Sequence, residues 1–65
     1  MKITVNGDPV EIEAGSVTTL LAQLGYGDAK VATAVNGVFV PAGQRDDTAL
    51  GAGDALEIVA PRQGG

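Results

Sequence analysis

The stretch that decides the fold is Val31-Ala32-Thr33-Ala34-Val35-Asn36-Gly37-Val38-Phe39-Val40. Two apolar-rich runs flank the dipeptide Asn36-Gly37, and Asn-Gly favours a type I′ turn because both residues tolerate a positive φ angle. The stretch is therefore predicted to form a β-hairpin. Pro41 lacks an amide hydrogen, so it is predicted to end the second strand.

The start of the chain carries a second hairpin pattern. Residues 1–5 alternate between apolar and polar side chains, which is typical of a half-buried strand, and Asn6-Gly7 follows them directly. In the returning run Val10 and Ile12 are predicted to face inward. Pro9 cannot donate a hydrogen bond, so this strand is expected at an edge of the sheet or with Pro9 at its start.

Between the hairpins the period changes to that of a helix. Ser16 is a good N-cap, and Gly25 is a suitable residue just beyond the C-terminus. The residues at positions i, i+3, i+4 and i+7 form one apolar stripe: Val17, Leu20, Leu21 and Leu24. A helix of about two and a half turns is unstable alone, so the stripe is predicted to pack on the strands.

The last predicted strand covers residues 55–60 and stops at Pro61. Leu56 and Ile58 are predicted to face the core, with Glu57 and Val59 on the opposite side. Residues 41–47 have loop composition and 51–54 that of a turn.

Two hairpin units around one helix predict an α+β fold with the β-grasp layout, in which the helix packs on one face of a mixed sheet. A length of 65 residues allows one domain, here residues 1–60, followed by a flexible tail of residues 61–65. About fourteen Val, Ile, Leu and Phe side chains are expected inside, each contributing roughly 1.5 to 3 kcal/mol if fully buried.

The composition excludes several classes of function. The chain has 8 acidic and 4 basic side chains, a net charge of -4, and neither cysteine nor histidine. It therefore lacks a thiolate, a histidine base and the usual zinc ligands. An acidic surface repels nucleic acid and anionic membranes, and no apolar run approaches the roughly 18 residues of a membrane span. We expect a cytoplasmic protein, monomeric when free, that binds no metal or cofactor and is not an enzyme.

The tail, Pro61-Arg62-Gln63-Gly64-Gly65, has no task in the predicted fold. Glycine has no Cβ, so a Gly-Gly end can enter a narrow channel and leaves the α-carboxylate open to attack. Five extended residues reach roughly 16 to 18 Å, which is enough to enter the active site of another protein. Adenylation would make the Gly65 carboxylate a good acyl donor. A frayed terminus without function is the alternative.

The sequence resembles the ubiquitin-like sulfur carriers, most closely the ThiS type of thiamine biosynthesis. The resemblance rests on the first hairpin, Val17-Thr18-Thr19-Leu20-Leu21, residues 31–37, residues 53–59 and Gly64-Gly65. One stretch departs from the family, in which a basic and an aromatic residue often follow the Val-Pro of the fourth strand. Here Ala42-Gly43-Gln44 follow Val40-Pro41, and Arg45 is displaced.

The resemblance implies that a ubiquitin-activating-type adenylyltransferase activates Gly65. A persulfide sulfur from a cysteine desulfurase would displace AMP, and the resulting thiocarboxylate would donate sulfur to thiazole synthase. The partner would bind the ATP, because this chain has no glycine-rich nucleotide loop. Three alternatives stay open: a molybdopterin-synthase small subunit, conjugation of the terminus to a lysine, and an interaction module without terminal chemistry.

Four residues are candidates for partner docking. Ala32 and Ala34 are predicted to lie beside Glu57 and Val59 on the sheet face away from the helix. The resemblance suggests that this face docks both partners, and an ordinary exposed face is the alternative. Arg62, Gln63 and Gly64 would then lie in the partner's channel.

Overall fold

The computed structural model describes residues 1–13, 15–26 and 30–60. Within these residues, one helix and seven strands follow in the order β1 (Lys2–Val5), β2 (Asp8–Glu11), β3 (Gly15–Ser16), α1 (Val17–Gln23), β4 (Ala32–Val35), β5 (Val38–Val40), β6 (Ala49–Leu50) and β7 (Ala55–Val59). A short 3-10 helix, Ala42–Gln44, lies in the predicted loop between β5 and β6.

Five strands form a mixed sheet in the order β2-β1-β7-β4-β5. The pair β1 and β7 is parallel, and the other neighbours are antiparallel. The last strand in the chain therefore lies at the centre of the sheet. Pro9 lies in β2 at one edge, where its missing amide hydrogen costs no sheet bond, as the sequence predicts.

Both predicted Asn-Gly turns are confirmed. Asn6 and Asn36 each have a φ angle of 51°, and the glycines that follow them have φ angles of 88° and 83°. Positive φ angles at both central positions define the type I′ turn, whose twist matches that of the flanking strands. The two hairpins therefore form where local sequence specifies them.

Helix α1 begins and ends as predicted. The Ser16 hydroxyl accepts a hydrogen bond from the Thr19 amide at 3.3 Å, and Gly25 adopts a φ angle of 89° just beyond the C-cap. In the described part of the chain, no helix is long and apolar enough to cross a membrane.

The core forms between α1 and the helix-facing side of the sheet. Its buried members are Ile3, Ile12, Val17, Leu20, Leu21, Leu50, Leu56 and Ile58. The expectation that the single phenylalanine contributes to this core is wrong, because Phe39 is 64% exposed. It pairs with Ala34 on the opposite side of the sheet, whereas its neighbour Val40 is buried.

Short strands β3 and β6 form a separate two-stranded sheet that the sequence does not predict. Gly15 pairs with Leu50, and the Val17 amide donates to the Thr48 carbonyl at 3.0 Å. The connection between β5 and β7 is thereby tied to the start of the helix, and Leu50 is brought into the core.

Arg45 joins the same connection to β4 through hydrogen bonds of its guanidinium group. Its Nε donates to the Thr33 hydroxyl at 3.3 Å, and its Nη2 donates to the Val31 carbonyl. Thr33 is 1% exposed and donates in turn to the Val40 carbonyl at 3.0 Å. Arg45 therefore supports the fold by satisfying buried polar groups.

Candidate functional site

The tail residues predicted to carry the chemistry, Arg62, Gln63, Gly64 and Gly65, lie outside the described residues. The structure describes the strand from which they continue. Strand β7 runs through the middle of the sheet to Val59, and Ala60 follows it. The tail thus continues from the central strand, which has neighbours on both sides.

Different groups hold the two sides of this strand near its end. On one side β4 is in register with it, so that Ala32 lies opposite Val59. On the other side the carboxamide of Asn6 bonds to Ile58. Its Oδ1 accepts from the Ile58 amide at 2.8 Å, and its Nδ2 donates to the Ile58 carbonyl at 3.1 Å.

The structure brings together the four residues predicted for partner docking. The register places Ala32 opposite Val59 and Ala34 opposite Glu57 on adjacent strands. All four point away from the helix, because their neighbours Thr33, Leu56 and Ile58 are buried on the other side.

Phe39 is a fifth member of this surface. Its ring lies on β5 opposite Ala34, so the short alanine side chains of β4 form the floor between Phe39 and the side chains of β7. The resulting shallow concavity has a volume of about 240 Å³. We call the surface formed by Ala32, Ala34, Phe39, Glu57 and Val59 the open face.

The alternation of side chains along β5 predicts that Phe39 points away from the helix. Pairing of Val40 with Thr33 on the buried side requires that the preceding residue point outward. The expectation of a buried phenylalanine relied on residue type, whereas its position in the strand decides which way the side chain points.

The open face combines apolar surface with one acidic group. Phe39 and Val59 are each 64% exposed, and the exposed Glu57 lies beside them. Exposed aromatic and aliphatic side chains around a shallow concavity are suited to contact with another protein. A carboxylate in such a surface favours a partner with a basic group opposite it.

Two acidic side chains in the second half of the chain, Asp46 and Asp54, accept hydrogen bonds within the fold. Asp46 accepts a hydrogen bond from the Thr18 hydroxyl at 2.5 Å, and Asp54 accepts one from the Gly51 amide at 2.7 Å. Among the residues that the structure describes, no group of three or more potential ligands is arranged to hold a metal ion.

In the described residues, a mixed sheet with a parallel central pair and one helix on a single face define a ubiquitin-like domain of the β-grasp class. The ThiS family model matches residues 3–65 of the sequence. The chain belongs to the ThiS family, the sulfur carriers of thiamine biosynthesis.

Two solved structures are similar over the whole chain. The crystal structure of the thiamine biosynthesis protein ThiS from Geobacter metallireducens is 35% identical, with complete coverage of both chains and a TM-score of 0.86. The solution structure of a thiamine biosynthesis protein from the same organism is 33% identical, covering all of this chain and 88% of that one, with a TM-score of 0.83. No curated protein matches the sequence.

Proposed function

We propose that the carboxylate of Gly65 is adenylated by a partner enzyme and converted to a thiocarboxylate, which donates sulfur for thiazole formation. One observation carries this proposal: the match to the ThiS family extends through residue 65 and so includes the Gly64-Gly65 pair. The match favours the thiazole destination over the molybdopterin alternative. It also favours terminal chemistry over a role limited to binding.

The proposed activation is an acyl-adenylate reaction. A carboxylate oxygen of Gly65 attacks the α-phosphorus of ATP, and pyrophosphate leaves. The carbonyl carbon is then bonded to a good leaving group, AMP, and becomes open to a sulfur nucleophile. The absence of a side chain on Gly64 and Gly65 leaves room for this attack inside a narrow channel.

Sulfur transfer follows in two steps. A terminal persulfide sulfur, supplied by a cysteine desulfurase, attacks the carbonyl carbon and releases AMP, giving an acyl disulfide. A thiol then attacks the sulfur of that disulfide that is not bonded to the acyl carbon. A new disulfide forms between the thiol and the desulfurase cysteine sulfur, and Gly65 is left as a thiocarboxylate. This chain has no cysteine, so the thiol comes from the partner or from a small thiol.

The chain acts as a cosubstrate in this scheme. The adenylyltransferase supplies ATP binding, and thiazole synthase accepts the sulfur. The open face docks these partners, while Arg62 and Gln63 accompany the terminal glycines into the partner's channel. The exposed apolar side chains and the carboxylate of the open face support this assignment, because they offer contact area and charge complementarity on the sheet from which the tail continues.

The terminal chemistry is tested by intact mass spectrometry. The chain is incubated with a ThiS-activating adenylyltransferase, ATP, cysteine desulfurase and cysteine, and the expected product has one oxygen replaced by sulfur. Fragmentation should locate the change at Gly65. Deletion of Gly65 and omission of ATP are the controls, and sulfur incorporation that survives either of them would refute the proposal.

The destination of the sulfur is tested with the purified thiocarboxylate. Addition of thiazole synthase and its substrates should return the carrier to the carboxylate form. The large subunit of molybdopterin synthase with its precursor should leave the thiocarboxylate intact. The reverse result would assign the chain to molybdopterin synthesis.

A further inference from the structure

The C-terminal end of β7 continues to Val59, whereas its backbone pairing with β1 ends at Leu56. The two parallel strands pair Thr4 with Ala55 and Val5 with Leu56, and the Asn6 amide donates to the Leu56 carbonyl at 2.9 Å. The chain then turns away at Gly7. The amide and carbonyl of Ile58 point to the same side of β7 as those of Leu56, since they are two residues apart.

The side chain of Asn6 satisfies both of these groups. It accepts from the Ile58 amide at 2.8 Å and donates to the Ile58 carbonyl at 3.1 Å, and the two residues are 52 positions apart in sequence. A carboxamide carries one acceptor and one donor group, as a peptide unit does. Asn6 therefore extends the sheet by one further pairing, at the end of β7 that leads to the tail.

We infer that Asn6 is a positioning residue for the reaction at Gly65. By holding Ile58 in the sheet, it fixes the place and direction from which the chain continues through Val59 and Ala60 into the tail. Because the partner enzyme is proposed to bind the open face of the sheet, the end of β7 sets the point from which the tail reaches the partner's active site. The inference rests on the proposed activation of Gly65.

The second Asn-Gly turn offers a matched control. Asn36 has the same φ angle of 51°, and its carboxamide also bonds to β7. Its Oδ1 accepts from the Ala55 amide at 3.0 Å, and its Nδ2 donates to the Asp54 carboxylate at 3.1 Å. These bonds hold the start of β7, whereas those of Asn6 hold its end. Asn6→Gly and Asn36→Gly each keep a residue that accepts positive φ and each remove two side-chain bonds.

The first measurement needs no partner. Amide hydrogen exchange by NMR should show faster exchange at Ile58 in Asn6→Gly and faster exchange at Ala55 in Asn36→Gly. Unchanged protection of Ile58 in Asn6→Gly would overturn the inference, because Asn6 would then not be holding the strand end.

The second measurement is steady-state adenylation, followed by pyrophosphate release with the carrier as the varied substrate. Asn6→Gly should lower kcat by about tenfold, less than the roughly hundredfold loss that a full ångström of misplacement can cause. Its KM should stay unchanged, because the open face is intact. Asn36→Gly should keep both constants near those of the wild-type chain.

A conservative variant separates positioning from a general loss of stability. Asn6→Asp retains an acceptor for the Ile58 amide and a residue type that tolerates positive φ, so its kcat should lie between those of the wild-type chain and Asn6→Gly. It also serves as the test if Asn6→Gly fails to fold. Equal kcat losses in Asn6→Gly and Asn36→Gly, or no loss in Asn6→Asp when Asn6→Gly is unfolded, would overturn the inference. A wild-type chain that is not adenylated at all would refute the proposed function and this inference with it.

Discussion

The carboxylate of Asp54 joins the turn that precedes β7 to the Asn36 turn. It accepts a hydrogen bond from the Gly51 amide at 2.7 Å and one from Asn36 Nδ2 at 3.1 Å. The Gly51 bond, with the Asn36 bond next in size, lowers the pKa of Asp54 below its usual value. Hydrogen bonds favour the charged form, so the charged carboxylate stabilises the folded state.

This interaction predicts a pH dependence of stability. The folded pKa of Asp54 lies below the unfolded one, so its contribution is complete above the unfolded pKa and is lost as the pH falls through the folded pKa. Asp54→Asn should therefore be less stable than the wild-type chain at neutral pH, and the difference should shrink below about pH 4. Urea unfolding followed by circular dichroism across this range measures it. A difference that stays constant with pH would contradict the assignment.

Glu11 adds a second interaction of the same sign. The N-terminal ammonium of Met1 lies 2.8 Å from the Glu11 carboxylate and also donates to the Ile12 carbonyl at 2.7 Å. The hydrogen bond to this ammonium, followed by its charge, lowers the pKa of Glu11. Protonation of Glu11 at low pH should thus remove its ion pair with the Met1 ammonium and lower the stability of the β1–β2 hairpin.

At the scale of elements, the sheet has two faces with different roles. Helix α1 buries Val17, Leu20 and Leu21 against one face, where Leu56 and Ile58 of β7 point. The alternate residues of the same strand form part of the open face. Strand β7 therefore contributes side chains to both the core and the open face and leads to the tail. Hydrogen bonds to β4 on one side, and to β1 and Asn6 on the other, hold it in place.

Two valines provide a matched test of the open face. Val59 lies on it and is 64% exposed, whereas Val38 is 68% exposed but lies opposite Val35 on the helix side of the edge strand. Val59→Lys places a cation among apolar side chains that we propose to meet a basic partner, so it should raise the KM for adenylation by about tenfold, equivalent to about 1.4 kcal/mol. Val38→Lys should leave KM unchanged. An equal change of KM in the two variants would show that the open face does not dock the adenylyltransferase.

At the scale of the whole molecule, the net charge of -4 bears on association. Complementary charge accelerates the encounter of two proteins, and salt screens the attraction. An acidic carrier with a carboxylate in its open face is thus expected to dock on a basic surface of its partner.

The association rate should therefore fall as ionic strength rises, and stopped-flow fluorescence with the adenylyltransferase measures this dependence. Glu57→Gln removes a charge from the open face, so it should flatten the dependence. Asp47→Asn removes the same charge from the exposed segment beside the start of α1, where Asp46 and Thr48 bond to the helix, and should have a smaller effect. If both variants flatten the salt dependence equally, the net charge of the chain, and not the position of Glu57, sets the association rate.

Local sequence determines much of this molecule, because its signals act within a few residues. Asn-Gly specifies each hairpin through the φ angles that its two residues accept. The spacing of Val17, Leu20 and Leu21 specifies a helix with one buried stripe, and Ser16 specifies where it begins. The resemblance in residue order also indicates the family, which the family match confirms.

The tertiary structure decides the features that depend on residues far apart in the chain. Local periodicity carries no information on which strands become neighbours, so the central place of β7 and the pairing of β3 with β6 required the assembled sheet. The bonds between Asn6 and Ile58 arise only when two segments 52 positions apart meet. Residue type suggested a buried Phe39, but strand register places it on the open face. The sequence by itself thus determined the two hairpins, the helix, the last strand and the chemistry of Gly65 that we propose. Only tertiary pairing decided that this last strand lies at the centre of the sheet and which side chains surround its end, because those contacts join residues that no local pattern relates.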